Sequence, residues 1–134
     1  MAGLCSFDYA VVRVVPSVDR EEFVNAGVIV FCDERDVLAA CVELDAARLR
    51  ALSPDVDVDL VRRHLDAIPR ICAGGPSSGP IGRMTLRERW HWLVAPRSTM
   101  VQTSSPHPGL DDSPETLLER LIDRVVRLRP APGG

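Results

Sequence analysis

Two apolar stretches near the start of the chain decide the fold: FDYAVVRVV at residues 7–15 and AGVIVFC at residues 26–32. Both are short and rich in β-branched and aromatic residues, a composition that favours strands over helices. The second stretch is apolar throughout, which is typical of a strand covered on both faces. A third stretch, VLAACVE at residues 37–43, follows a four-residue polar loop. This spacing predicts an antiparallel hairpin.

Four helices are predicted after the hairpin, each from its capping residues and apolar spacing. Thr85 and Glu88 match the capping box, in which each side chain bonds the other residue's unpaired backbone N–H. Ser113 followed by Pro114 is a strong start signal for the last helix. The predicted helices are residues 46–52, 58–68, 86–93 and a final one from residue 114, and a fourth strand is predicted at residues 98–103.

Turns and loops are predicted where Gly, Pro and short polar residues cluster. Residues 17–23 are expected to form one helical turn, and Asn25 to Gly27 a reversal of the chain. Residues 73–82 contain four Gly and two Pro, so we expect an insertion or a lid there. Residues 104–112 are expected to form a loop, and residues 130–134 a loose tail.

The order of these elements predicts a single α+β domain over residues 1–134. Its sheet is expected to be antiparallel or mixed, with about four strands and about four helices packed mainly on one face. A content of 46% hydrophobic and 26% charged residues is typical of a globular domain. No apolar stretch is long enough to span a membrane. Residues 1–7 lack the features of a signal peptide, so we expect a cytoplasmic protein without membrane contact.

The sequence lacks the motifs of common cofactor, metal and catalytic sites. Its cysteines have no C-x-x-C spacing, so no metal ion is expected. No disulfide is expected either, because the protein is expected to be cytoplasmic. All sixteen basic residues are arginine, which excludes a P-loop lysine or a Schiff-base lysine. No cofactor is expected, and these observations favour a protein that is not an enzyme. The four cysteines are Cys5, Cys32, Cys41 and Cys72.

One segment of the chain combines arginine with tryptophan. Within residues 81–100, four arginines against one glutamate give a net charge of +3. The tryptophans Trp90 and Trp92 are flanked by Arg83, Arg87, Arg89 and Arg97. Guanidinium and indole groups together suit phosphate contact and base stacking. The alternative interpretation is that the tryptophans fill the core while the arginines are solvated. The whole chain carries a net charge of −3, which argues against nucleic acid as the partner.

Five further polar residues are candidates for binding. Arg13 interrupts an apolar strand and needs a partner if it is buried, and Glu22 is the nearest acid beyond that strand. Gln102 and Ser104 leave a predicted strand, where polar groups often line binding sites. Asn25 completes this set. If these side chains meet at one place, they form a candidate site for an anionic ligand.

A longer pattern links several of these residues: YAVVR at 9–13, Pro16 and EFVNAGVIVF at 22–31, continued by RW at 89–90 and QTS at 102–104. This pattern resembles an uncharacterised bacterial family, the domain of unknown function 3037, over nearly the whole chain. The resemblance implies no activity and therefore no catalytic residue. It does imply a partner, because members of the family are often encoded beside a HipA-like kinase-fold protein.

Three functions remain open at this point. The first is a non-catalytic cytoplasmic accessory or interaction domain that binds a kinase-fold protein through an Arg/Trp segment, residues 83–97, and the loop at residues 102–109. The second is an enzyme or binder acting on a phosphate-bearing small molecule, in which Arg13 or Arg89 holds the anion and Glu22 or His107 transfers protons. The third is nucleic-acid binding through the Arg/Trp segment, which predicts a steep salt dependence.

Overall fold

The computed structural model describes residues 3–128, apart from the side chain of Ser77. Its strands are β1 (Cys5–Ser17), β2 (Glu22–Cys32), β3 (Val37–Val42), β4 (Val101–Thr103) and β5 (His107–Asp111). Its helices are α1 (Ala46–Leu52), α2 (Val58–Ala73), α3 (Gly79–Gly82), α4 (Leu86–Val94) and α5 (Pro114–Val125), with 3-10 turns at Val18–Arg20 and Pro76–Ser78.

The five strands form one sheet in which all pairs are antiparallel, so the predicted α+β class is confirmed. The strand order is β3-β2-β1, and both β4 and β5 pair with the remaining edge of β1. The predicted hairpin is the β2–β3 pair. The predicted fourth strand is present but shorter, because only its last three residues pair with β1.

Helices cover both faces of the sheet. Val12 points to the first face, where α1, α2 and α4 pack, and Phe7 points to the second face, where α5 packs. The prediction that the helices pack mainly on one face is confirmed, and α5 is the exception. This arrangement explains why β2 is apolar throughout, because Val28 packs against α5 while Ile29 packs on the first face.

The predicted reversal at Asn25 to Gly27 is wrong, because these residues continue β2 as a β-bulge. Arg13 pairs with Asn25 whereas the preceding residue pairs with Gly27, which leaves Ala26 as an extra residue. A side chain at position 27 would place its Cβ 2.8 Å from the carbonyl oxygen of Cys41 on β3, so this position requires glycine. The bulge shifts the alternation of β2 by one residue and brings Asn25 to the second face, beside Arg13.

Two segments predicted as loops contain regular structure. α2 continues through Pro69 to Ala73, and the Gly/Pro-rich segment after it forms a 3-10 turn and α3. Residues 107–111 form β5 although they contain Pro108. An outermost strand tolerates proline, because the missing N–H can face away from the sheet. The predicted tail at residues 130–134 lies outside the described residues.

Ser104 joins the two short strands that pair with β1. Its backbone N–H donates to the carbonyl oxygen of Val11 at 2.8 Å, and the Val11 N–H donates to the Ser104 hydroxyl oxygen at 2.9 Å. The Ser104 hydroxyl in turn donates to the carbonyl oxygen of Ser105 at 3.0 Å. Ser104 is buried, and its single hydroxyl proton is already donated. This candidate binding residue therefore bridges the gap between β4 and β5.

Ser104→Ala is expected to lower the free energy of unfolding by about 1–3 kcal/mol, because the Val11 N–H loses its acceptor. Urea unfolding followed by circular dichroism measures this change. Ser105→Ala is the matched control, since the Ser105 side chain is exposed and its carbonyl oxygen is retained. Equal stabilities of the two variants would contradict the bridging role.

Candidate functional site

The tryptophan in the middle of the Arg/Trp segment belongs to the core. Trp90 is 3% exposed, and its ring stacks on Phe31 of β2 with 5.3 Å between centroids and 11° between planes. A buried indole cannot stack on a nucleic-acid base without leaving the core. The interpretation in which tryptophan fills the core therefore describes Trp90, and the nucleic-acid hypothesis loses its central stacking residue.

The two arginines beside Trp90 have different partners. Arg89 donates from Nη1 to the carbonyl oxygens of Ile71 at 2.8 Å and Cys72 at 2.6 Å, in the last turn of α2. Its Nε donates to the carbonyl oxygen of Met84 at 3.1 Å. A cation at a helix C-terminus also complements the helix dipole. Arg89 thus holds α2 against α4, while Arg87 forms an exposed ion pair with Asp33.

The proton-transfer residues of the enzyme hypothesis lie apart from the arginines that would hold an anion. Glu22 accepts a hydrogen bond from Nε of Arg20 at 2.5 Å instead of pairing with Arg13. Arg20 is only two residues away, so this pair needs little chain ordering. His107 lies on β5, where its ring centroid is 5.6 Å from that of Tyr9. The geometry does not gather these groups around one substrate.

Three of the candidate residues do meet, in a polar row that crosses the sheet on its second face. β1 pairs Arg13 with Asn25 of β2 on one side and with Gln102 of β4 on the other. Nδ2 of Asn25 donates to the carbonyl oxygen of Val125 at the end of α5, at 3.0 Å. Nε2 of Gln102 donates to the carbonyl oxygen of Thr99 at 2.8 Å. The row therefore lies at the place where α5 stops covering the sheet.

A groove of about 250 Å³, the Arg13 groove, lies beside this row. Phe23 and Val18 contribute exposed apolar surface to it, with 43% and 49% of their surface accessible. The guanidinium carbon of Arg13 lies 4.4 Å from the centroid of the Phe23 ring, a cation–π contact. The groove thus combines the positive charge of Arg13 and the negative charge of Glu21 with apolar walls. It is lined by Arg13, Val15, Val18, Glu21, Phe23 and Gln102.

Two buried polar atoms of the row have no hydrogen-bond partner among the described residues. They are Nε of Arg13, a donor, and Oδ1 of Asn25, an acceptor. A buried polar group without a partner costs roughly 1–3 kcal/mol, so such groups are rare in folded proteins. The two residues are directly paired across β1 and β2.

Phe23 and Val18 are two of the four groove residues that the sequence did not single out, the others being Val15 and Glu21. The predicted helical turn over residues 17–23 hid Phe23 and Val18, whereas the structure confines that turn to Val18–Arg20 and begins β2 at Glu22. A strand beginning there puts Phe23 on the same face as Asn25, two residues later. The alternation of side chains along a strand that begins at Glu22 would have identified Phe23, but the sequence was interpreted as a turn at Asn25.

The described residues offer few reactive side chains. Within residues 3–128, no group of three His, Cys, Asp or Glu side chains could hold a metal ion. Burial raises the pKa of the Cys72 thiol to about 12, so at neutral pH it is not a thiolate nucleophile. A hydrogen bond with Cys32 also raises the pKa of the Cys5 thiol. Across the same range, no helix has the length and apolar character needed to cross a membrane.

One antiparallel sheet with helices on both faces defines this chain as an α+β protein. A family model described as protein of unknown function (DUF3037) matches residues 9–126 of the 134-residue chain. The chain therefore belongs to this family, and the resemblance seen in the sequence is confirmed. Neither the curated proteins nor the solved structures contain a match. The matched residues include the whole Arg13 groove.

Proposed function

We propose that this chain is a non-catalytic accessory domain whose Arg13 groove receives a short segment of a protein partner. The observation that carries the proposal is the pairing of a cation with exposed apolar surface where α5 leaves the sheet uncovered. Arg13 supplies the cation, and Phe23 and Val18 supply the surface. Exposed apolar side chains beside a charged group are typical of interaction surfaces.

Arg13 favours a segment that carries an acidic side chain next to an apolar one, and Glu21, which also lines the groove, favours a basic or hydrogen-bonding group elsewhere in that segment. None of the ion pairs among the described residues includes Arg13. The stacked ring of Phe23 holds its guanidinium in place, so little side-chain entropy is lost when a carboxylate binds.

The partner in this proposal is a HipA-like kinase-fold protein, the class that the sequence resemblance implies, and the two proteins meet in the cytoplasm. The proposal moves the interaction surface away from the Arg/Trp segment. In that segment Trp90 is buried in the core, and Arg89 donates hydrogen bonds to carbonyl oxygens at the end of α2.

The test is the affinity of the full chain for the purified kinase-fold protein, measured by isothermal titration calorimetry. Arg13→Glu and Phe23→Asp are each expected to weaken binding at least about tenfold, since one reverses the charge and the other removes the apolar wall. Arg87→Glu is the matched control, because Arg87 is an exposed arginine outside the groove. Its affinity is expected to stay within about twofold of the unmodified chain.

Arg13→Gln serves as a second variant if Arg13→Glu does not fold, because glutamine keeps a polar side chain in the row without adding a negative charge. Circular dichroism spectra of all variants establish that the fold is retained. The proposal fails if the unmodified chain does not bind at concentrations of about 100 µM. It also fails if Arg87→Glu weakens binding while the groove variants bind normally.

A further inference from the structure

A second cavity, the Arg97 pocket, lies on the first face of the sheet between α2, α4 and β4. Its volume is about 300 Å³, at the small end of the range of roughly 300–1,000 Å³ found for ligand pockets. The walls include Ile68 and Ile71 from α2, Leu93 from α4 and Val101 from β4. No aspartate or glutamate is among the described residues that line it. The pocket is therefore mainly apolar and has no negative charge of its own.

Arg97 provides the positive charge of the pocket. Its guanidinium carbon lies 4.2 Å from the centroid of the Trp92 ring, and Nη2 donates to the carbonyl oxygen of Trp92. None of the ion pairs in the described part of the chain includes Arg97. Burial lowers the pKa of Arg97, because the guanidinium has lost water without gaining a carboxylate. An anion that enters the pocket would offset this loss.

We propose that the Arg97 pocket binds a small monocarboxylic acid, with the carboxylate on Arg97 and a compact apolar body against α2 and β4. The planar guanidinium matches the two oxygens of a carboxylate. A single arginine in an apolar pocket suits one negative charge, whereas a phosphate carries nearly two and costs more to remove from water. The Arg97 pocket lies on the first face and the Arg13 groove on the second, and Gln102 of β4 lines both cavities. The chemistry proposed for Arg97 does not depend on the partner proposed above.

Arg97 lies at a position that fixes the orientation of such a ligand. The stacked indole of Trp92 restrains the guanidinium, which lowers the entropy lost when a carboxylate binds. His64, Thr99 and Thr103 also line the pocket and add polar groups for the remaining carboxylate hydrogen bonds. The apolar side chains of α2 and β4 leave the body of the ligand with hydrophobic contacts only. We therefore expect the pocket to select ligands by a negative charge at one end and by the size of the apolar body at the other end.

The test is a titration of the full chain with benzoate, phenylacetate and isovalerate, followed by tryptophan fluorescence and by calorimetry. At least one of these acids is expected to bind saturably with a Kd below about 1 mM. Phenylacetamide, the neutral analogue of phenylacetate, is expected to bind at least about tenfold more weakly than phenylacetate. Phenyl phosphate distinguishes the two kinds of anion and is expected to bind more weakly than the best acid.

Two variants locate the site. Arg97→Gln is expected to weaken the best acid at least about tenfold while leaving the neutral amide unchanged, and Ala67→Phe is expected to block both ligands by filling the pocket. Arg83→Gln, at an exposed arginine that does not line the pocket, is the matched control. Ala67→Phe keeps Arg97 and so remains informative if Arg97→Gln does not fold.

Three results would overturn the proposal. The first is the absence of saturable binding for all three acids. The second is equal affinity of the acid and the amide, or tighter binding of phenyl phosphate. The third is an affinity that Ala67→Phe leaves unchanged.

Discussion

Trp90→Ala is expected to lower the free energy of unfolding by about 3–5 kcal/mol, because Trp90 is the larger of the two buried side chains of α4. Trp90 is 3% exposed and stacks on Phe31, so its removal opens a cavity between α4 and the sheet. The loss includes both the buried apolar area and the aromatic contact. Urea unfolding followed by far-ultraviolet circular dichroism gives the change directly.

Trp92→Ala is the natural comparison, because both tryptophans lie on α4 and only Trp90 is buried. Trp92 is half-buried and carries the guanidinium of Arg97. Its replacement is expected to cost clearly less stability than that of Trp90. A loss below about 1 kcal/mol for Trp90→Ala, or equal losses for the two variants, would mean that Trp90 is not a core residue.

Arg89→Met is expected to lower the free energy of unfolding by about 1.5–3 kcal/mol, because hydrogen bonds from a charged donor to three carbonyl oxygens are lost. Methionine keeps most of the aliphatic length of arginine, so the change isolates the guanidinium. The same unfolding experiment measures the effect. Amide hydrogen exchange at the end of α2 is expected to accelerate, since that turn loses its link to α4.

Arg87→Met is the matched control for this prediction. Arg87 lies two residues earlier on α4, and its ion pair with Asp33 is exposed, so the expected change is within about 1 kcal/mol. Indistinguishable stabilities of the two variants would contradict the structural role of Arg89. Such a result would return Arg89 to the set of residues available for a ligand.

Local signals in the sequence were sufficient for much of the fold. The β2–β3 hairpin follows from two apolar stretches separated by four polar residues, and the capping box of Thr85 and Glu88 begins α4 as predicted. Ser113 caps α5 through the backbone N–H of Thr116. These features depend on residues a few positions apart, so composition and spacing contain the required information.

The errors in the predicted fold arise from interactions between distant residues. The chain continues as β2 through Asn25 to Gly27, with a bulge at Ala26, because β1 pairs with Asn25 and Gly27 and β3 pairs with Gly27. Similarly, β5 forms in a proline-containing segment because β1 offers it an unpaired edge. Ser104 and Val11 are 93 residues apart, and no local pattern predicts their hydrogen bonds.

In the candidate site, too, local sequence identified single residues, whereas their proximity depends on contacts between distant parts of the chain. Arg13 was recognisable as a charge in an apolar strand, but its proximity to Asn25 and Gln102 depends on strand register and on the bulge at Ala26. Arg89 was recognisable as a potential anion ligand, but its hydrogen bonds go to backbone carbonyl oxygens 17 and 18 residues away. Residue type identified the chemistry of both arginines, and only tertiary structure showed which one lies in an open groove.

Methyl NMR of the full chain during titration with the kinase-fold protein tests most directly whether the partner enters the Arg13 groove. Val15 and Val18 line the groove, whereas Leu86 lies on α4 in the Arg/Trp segment. The largest changes in chemical shift are predicted for the methyl groups of Val15 and Val18, with those of Leu86 unchanged. Changes concentrated at Leu86, with Val15 and Val18 unaffected, would contradict the proposed binding surface.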